Sequence, residues 1–268
     1  MRFLIMTDIE GVTGVTSFPQ AECSEFGKQM LMHDLNAVIA GIKAEGEHEI
    51  VVYDMHTDGR NVDLTQMPED IPVIMGKPIS RTVYRGVGGN YDGLFLLGLH
   101  TMQHVPGALL AHSYLREYDS IHLNGILVGE IGVEAALAGQ QGFPLVFVSG
   151  DDLGCAEAKQ LIPEVVTAAV KTSIDDAQAL CPSPAKTGKI LFEAAREAVR
   201  KAKSIPPFKV EGEVEVKVKF SQCHYRDVMQ KIHPEIFTDV STVCVSGEGM
   251  LDAWGKYLLL EREMVQNA

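Results

Sequence analysis

Short apolar runs broken by glycine and polar turns fill the first two thirds of the chain. Arg2 to Thr7 reads as a buried strand that runs into Asp8-Ile9-Glu10-Gly11. From Gly27 to Glu45, the residues Leu31, Leu35, Val38, Ile39 and Ile42 recur at helical spacing, and Gly46 supplies a stop. Glu49 to Asp54 predicts the next strand, which leads through Met55-His56 into an Asp58-Gly59 turn, and Pro72 to Met75 predicts a brief one. Gly93 to Gly98 is a continuous apolar strand that ends at His100, and Pro144 to Ser149 is another buried strand. Strands apolar on both faces belong to parallel sheets covered by helices. Ile121-His122-Leu123, Asn124-Gly125 and Ile126-Leu127-Val128 form a hairpin signal. A helix is expected from about Glu130, with Val133, Ala136 and Leu137 facing inward.

The pattern changes toward the C-terminus. Ser183-Pro184 is a good cap and first turn for a helix to about Lys203, and Pro206-Pro207 marks a break. Val210, Val214, Val216, Val218 and Phe220 fit a strand with polar residues between them. Val240 to Val245 predicts a further strand, and a helix is expected from about Met250. The alternation predicts an α/β fold. A three-layer domain with a mainly parallel sheet is expected over residues 1–180, with a smaller α/β portion over 181–268 packed on it.

Composition narrows the function classes. The 268 residues carry a formal net charge of −13, which repels phosphate backbones and argues against nucleic acid as a partner. Five scattered cysteines, with no Cys-x-x-Cys pair, indicate a reducing compartment rather than a disulfide framework or a thiolate zinc site. No apolar run approaches the ~20 residues that span a bilayer, so no membrane partner is expected. The N-terminus reads as neither a signal nor a transit peptide, and the expected location is the cytoplasm.

Candidate chemistry gathers at strand ends, where open α/β sheets bind ligands. Asp8 and Glu10 follow the first predicted strand, His56 the second and His100 the fourth, while Glu130 opens a helix. Mixed carboxylate and imidazole donors suit Zn²⁺, with Mn²⁺, Co²⁺ or Fe²⁺ as substitutes. Five ligands exceed the needs of one catalytic zinc but serve two if a carboxylate bridges, and Asp8 is the expected bridge. The reaction class is hydrolysis of an amide or of a phosphate ester. A Mg²⁺-dependent phosphohydrolase of the haloacid-dehalogenase type is the alternative, although its metal does not favour His56 and His100. A non-catalytic metal-binding scaffold is the other.

Other features carry less. His104 lies four residues after His100, but Thr101 occupies the position where a helical zinc motif needs Glu. Gly86-Val87-Gly88-Gly89-Asn90 precedes a strand rather than a helix and reads as a turn. Gly150-Asp151-Asp152 fits a site wall and a helix cap equally well.

The ordered motifs resemble a known family. Met6-Thr7-Asp8-Ile9-Glu10-Gly11, Tyr53-Asp54-Met55-His56, Leu97-Gly98-Leu99-His100, Ala111-His112-Ser113 and Val128-Gly129-Glu130-Ile131-Gly132 are similar to those of the DppA-like zinc D-aminopeptidases, peptidase family M55. Val148 to Asp152, Leu161-Ile162-Pro163, Thr167 to Lys171 and Ser183-Pro184-Ala185 continue the likeness, which fades after about residue 205. The resemblance implies removal of N-terminal residues, D-alanine above all, from short peptides. It implies two zinc ions per subunit on Asp8, Glu10, His56, His100 and Glu130, and a catalytic histidine at His112. It further implies a ring-shaped, self-compartmentalising homo-oligomer, a decamer being one size to test. Met6 departs from the family motif, which has Ser there.

Overall fold

The first apolar run forms β1 (Arg2–Thr7), inside a seven-stranded sheet. The computed structural model describes residues 1–76 and 90–268; the glycine turn expected at 86–89 lies outside the described residues. In chain order the elements are β1, α1 (Phe18–Cys23), α2 (Glu25–Lys43), β2 (Glu49–Asp54), β3 (Val73–Ile74), β4 (Gly93–Leu99), β5 (Tyr118–Leu123), β6 (Ile126–Val128) and α3 (Glu130–Gln140). There follow β7 (Leu145–Asp151), α4 (Asp152–Leu161), β8 (Val166–Asp175), β9 (Gln178–Leu180), α5 (Pro184–Lys201), β10 (Val214–Phe220), α6 (His224–Ile232), β11 (Thr242–Gly247) and α7 (Met250–Asn267).

The large sheet has the order β3-β2-β1-β4-β7-β8-β9, parallel throughout except for β9. The mainly parallel α/β architecture read from the sequence is therefore the one observed. β4 and β7 are buried along their whole length, as expected of strands covered on both faces. A second, four-stranded antiparallel sheet has the order β11-β10-β5-β6. It takes two strands from before residue 180 and two from after it. The β5–β6 hairpin turns at Asn124 and Gly125, both at positive φ (47° and 82°), as a two-residue turn requires.

Register places the site. Thr7 pairs with Asp54 of β2 on one side and with Leu97 of β4 on the other. Asp8, Met55-His56 and the end of β4 therefore emerge together along one carboxyl edge. Glycine lets these chain ends touch. A side chain on Gly11 would place its Cβ only 1.9 Å from the Leu99 carbonyl oxygen, and Gly98 lies at φ +76° against the Asp8 carbonyl. Behind the sheet, α2 packs on α5, and Gly41 lets the backbone at Phe192 approach closely. The triplet at 150–152 is resolved as a cap: Asp151 accepts from the Gly154 N–H at 3.3 Å.

Candidate active site and metal centre

Asp8, Glu10, His56, His100 and Glu130, from four separate stretches of the chain, meet in one buried cluster. The two carboxylate oxygens of Asp8 face different histidines. Oδ1 lies 2.7 Å from His56 Nδ1, and Oδ2 lies 3.5 Å from His100 Nε2. Glu10 joins the first half at 3.1 Å from His56 Nδ1, and Glu130 joins the second at 3.3 Å from His100 Nε2. His112 belongs to the second half as well. Its ring stacks on that of His100 with centres 3.9 Å apart and planes 11° from parallel. His100, His112 and Glu130 form one group that could hold a metal ion, and Asp8, Glu10 and His100 form another.

Each donor is held from behind. His100 Nδ1 lies 3.1 Å from the Thr101 carbonyl and His112 Nδ1 2.9 Å from the Leu110 carbonyl. A carbonyl only accepts, so in both rings Nδ1 carries the proton and Nε2 is left with its lone pair when the ring is neutral. The Tyr114 N–H donates to Glu130 Oε1 at 2.6 Å. The loop after β2 is tied by Asp54, which accepts from the backbone of Asn61 and Val62, while the Asn61 amide donates to the His56 carbonyl at 2.8 Å. Glu10 is held through its backbone. Lys171 of β8, only 2 % exposed, donates to the carbonyls of Glu10, Val12 and Val15 at 2.5, 3.0 and 2.5 Å. Thr57, Leu110 and Tyr114, all beside site residues, sit at positive φ (46°, 52° and 59°). Strain of this kind persists where surrounding contacts over-determine it, often at working sites.

The electrostatics call for a cation. Three buried carboxylates share a small volume, and ionised groups there are costly unless paired. Burial disfavours charge on His56, yet hydrogen bonds to Asp8 and Glu10 lift its pKa to about 11. Burial likewise opposes charge on His100, and Glu130 overcomes it, lifting the pKa to about 10. Burial and the charge of Glu10 push Asp8 up to about 7. Protons thus balance the carboxylates where a metal would otherwise do so. His56 Nε2 is buried without a hydrogen bond, as a donor atom awaiting a ligand is. Oxygen and imidazole donors in this number fit zinc. His112 differs: burial first, then the charge of His100, pushes its pKa down to about 4. It is neutral at neutral pH, with a lone pair on Nε2.

The cluster forms the floor of a cleft of about 350 Å³ whose walls include Glu22, Tyr114, Arg116, Glu117 and Tyr225. That volume suits a small ligand.

Comparison with known proteins supplies the family. The family model for the D-aminopeptidases of peptidase family M55 matches residues 1–258. The chain belongs to peptidase family M55. As an M55 protein it is a peptidase and so a hydrolase, which sets aside both the phosphohydrolase and the scaffold readings. It is 28% identical over 267 residues to the D-aminopeptidase of Bacillus subtilis (strain 168), covering 97% of this chain and 96% of that one. A solved structure, the Zn-dependent D-aminopeptidase DppA from Bacillus subtilis, described as a self-compartmentalizing protease, superposes with a TM-score of 0.90. That match has 28% identity and covers 100% of this chain and 99% of that one. The family match runs well past residue 205, where the motifs fade.

Sequence reasoning missed the supports of this M55 site. Lys171 stood within a quoted motif, but nothing local showed that its ammonium crosses to the loop after β1. A lysine directly after the run Val166 to Val170 was the available signal. Phe18 and Arg116, in the cleft region, had none.

Proposed function

We propose that this M55 chain is a zinc-dependent aminopeptidase that removes an N-terminal D-residue such as D-alanine from short peptides. Two zinc ions per subunit would be held by Asp8, Glu10, His56, His100 and Glu130, with His112 as the catalytic residue. The observation that carries the reading is Asp8, whose two oxygens turn to two different histidines, an arrangement that suits a ligand shared by two sites.

When bound, the metal pair supplies Lewis acidity to a substrate carbonyl and to water. The chain's own residues do the rest. His100 and His112 are fixed in orientation by the carbonyls that their Nδ1 protons reach. His112, neutral with its lone pair on Nε2, accepts a proton as water attacks and returns it to the leaving amine. The acidic lining of the cleft draws a protonated amino terminus. The relative's self-compartmentalising assembly supports a homo-oligomer here too, with a ring and a decamer as the arrangement to test by light scattering. The odd cysteine count supports a reducing, cytoplasmic setting. No helix among the described residues is long and apolar enough to cross a membrane.

Metal analysis together with a panel of D- and L-dipeptides tests the reading. The expected result is two zinc ions per subunit and hydrolysis of D-alanyl dipeptides that a chelator stops and zinc restores. Zinc-replete protein that cleaves no peptide in the panel would refute it.

A further inference from the structure

Resting on that peptidase reading, we propose that Arg116 docks the C-terminal carboxylate of the substrate and favours dipeptides with a free carboxyl end. The cleft is lined by Asp8, Glu10, Glu22, Glu117 and Glu130, and Arg116 is the one Lys or Arg among the described residues lining it. A dipeptide brings a positive end and a negative end. Acidic walls suit the first and repel the second, so beyond the metal centre itself the carboxylate has a single cationic side chain to meet there.

The spacing fits. The Arg116 guanidinium carbon stands 4.0 Å from the centre of the Phe18 ring. The same ring meets His112 edge-on, with centres 5.4 Å apart. Phe18 is thus a spacer, and guanidinium and imidazole are no farther apart than those two steps laid end to end. One residue of extended chain covers about 3.5 Å. A carbonyl beside His112 therefore leaves the carboxylate of the following residue within hydrogen-bonding reach of Arg116. Each added residue carries that carboxylate about 3.5 Å farther on. Seating on an aromatic face leaves the edge of the planar fork free for a carboxylate.

Glu22 pairs with Nη2 of Arg116. A guanidinium has five donors, so this contact does not exhaust it. Glu22 holds the side chain in the cleft and competes with an incoming carboxylate. This gives the proposal a signature that a structural ion pair lacks. Loss of either member harms a structural pair, whereas a docking arginine suffers from its own loss and gains from loss of its competitor.

The experiment compares kcat/KM for D-alanyl-D-alanine with that for its C-terminal amide, in wild type, Arg116→Gln and Glu22→Gln. The free-acid-to-amide ratio should fall roughly tenfold or more in Arg116→Gln, chiefly through KM. It should rise in Glu22→Gln. A ratio unchanged in Arg116→Gln overturns the assignment, as does a fall in Glu22→Gln. Wild-type protein that cleaves neither compound overturns the peptidase reading and this inference together, which separates that failure from a flat ratio in an active enzyme.

Discussion

The two halves of the ligand cluster are built to different standards. On the His56 side, Nδ1 is engaged by two carboxylates at once, the loop behind it is tied through Asp54 and Asn61, and Glu10 hangs from a strap pinned by Lys171. On the His100 side Nε2 faces its two carboxylates at longer range, Glu130 at 3.3 Å and Asp8 at 3.5 Å, Nδ1 is tied only to its neighbour's carbonyl, and a neutral second imidazole lies stacked against the ring. Much of the rigid support serves the first half, and His112, the proposed proton-transfer group, sits in the second. A metal on the His56 side should bind more tightly, because preorganised donors lose less on binding, and one on the His100 side should lie closer to the chemistry.

Asp8 is what the halves share, so its loss should have the largest effect. Asp8→Asn is expected to shed zinc from both sides and to abolish turnover. The cost should exceed the roughly 10–100-fold penalty seen for a group that only supports a ligand. Elemental analysis after dialysis and a dipeptide assay would show it. Two tightly held zinc ions in the variant would rule out the shared-ligand reading.

His112→Ala strikes one half and leaves the metals. Turnover should drop about 10²–10⁴-fold, the usual weight of a positioned acid–base group, with zinc stoichiometry unchanged. If zinc is lost as well, His112 is a ligand in the group it forms with His100 and Glu130.

Lys171→Met strikes the other half. Three buried carbonyls lose their donor, and an unsatisfied buried polar group costs about 1–3 kcal/mol. Zinc affinity on the His56 side should weaken roughly 10–100-fold, as for other supporting groups. Competition with a chromophoric chelator measures it. An unaltered affinity would mean that the strap holds only the fold.

The difference between the halves also explains what could be read in advance. The proposed ligands were legible because each follows a strand or opens a helix, and periodicity locates strand ends well. Asp8, His56 and His100 follow runs that no other pattern explains. The supports were not legible because they act across long separations through backbone atoms. Lys171 reaches carbonyls more than 150 residues away, and a carbonyl carries no mark of its partner in the sequence. Asp151 looked as suited to a site wall as to a cap until its bond to Gly154 was seen. The strand β8 and helix α4 were missed for another reason. Ala168, Ala169 and the polar residues of 152–161 match neither period strongly, and burial against neighbours decides their form.

The smallest effect, and the one that bears on both halves, is the pH response of the metal-free protein. His56 and His100 have folded pKa values raised from 6.5 to about 11 and about 10, burial notwithstanding, by the carboxylates beside them. A base whose folded pKa is raised lends stability that is full below the unfolded value, declines as pH rises beyond it, and is gone above the folded value. The loss therefore sets in above about 6.5 and is complete by about 10 to 11. Asp8, raised from 3.8 to about 7, acts in the same direction over a lower window. Zinc bound at the proposed centre would take the place of these protons, so the loaded protein should escape the decline. Melting temperatures of chelated and zinc-loaded protein, compared from about pH 6 to about pH 9, should diverge as pH rises, with the chelated protein falling. Curves that run parallel would mean that the carboxylates are not held together by protons on His56 and His100. If Lys171→Met narrows the divergence, the strapped half supplies much of it; if the divergence is unchanged, it comes from His100 and Glu130.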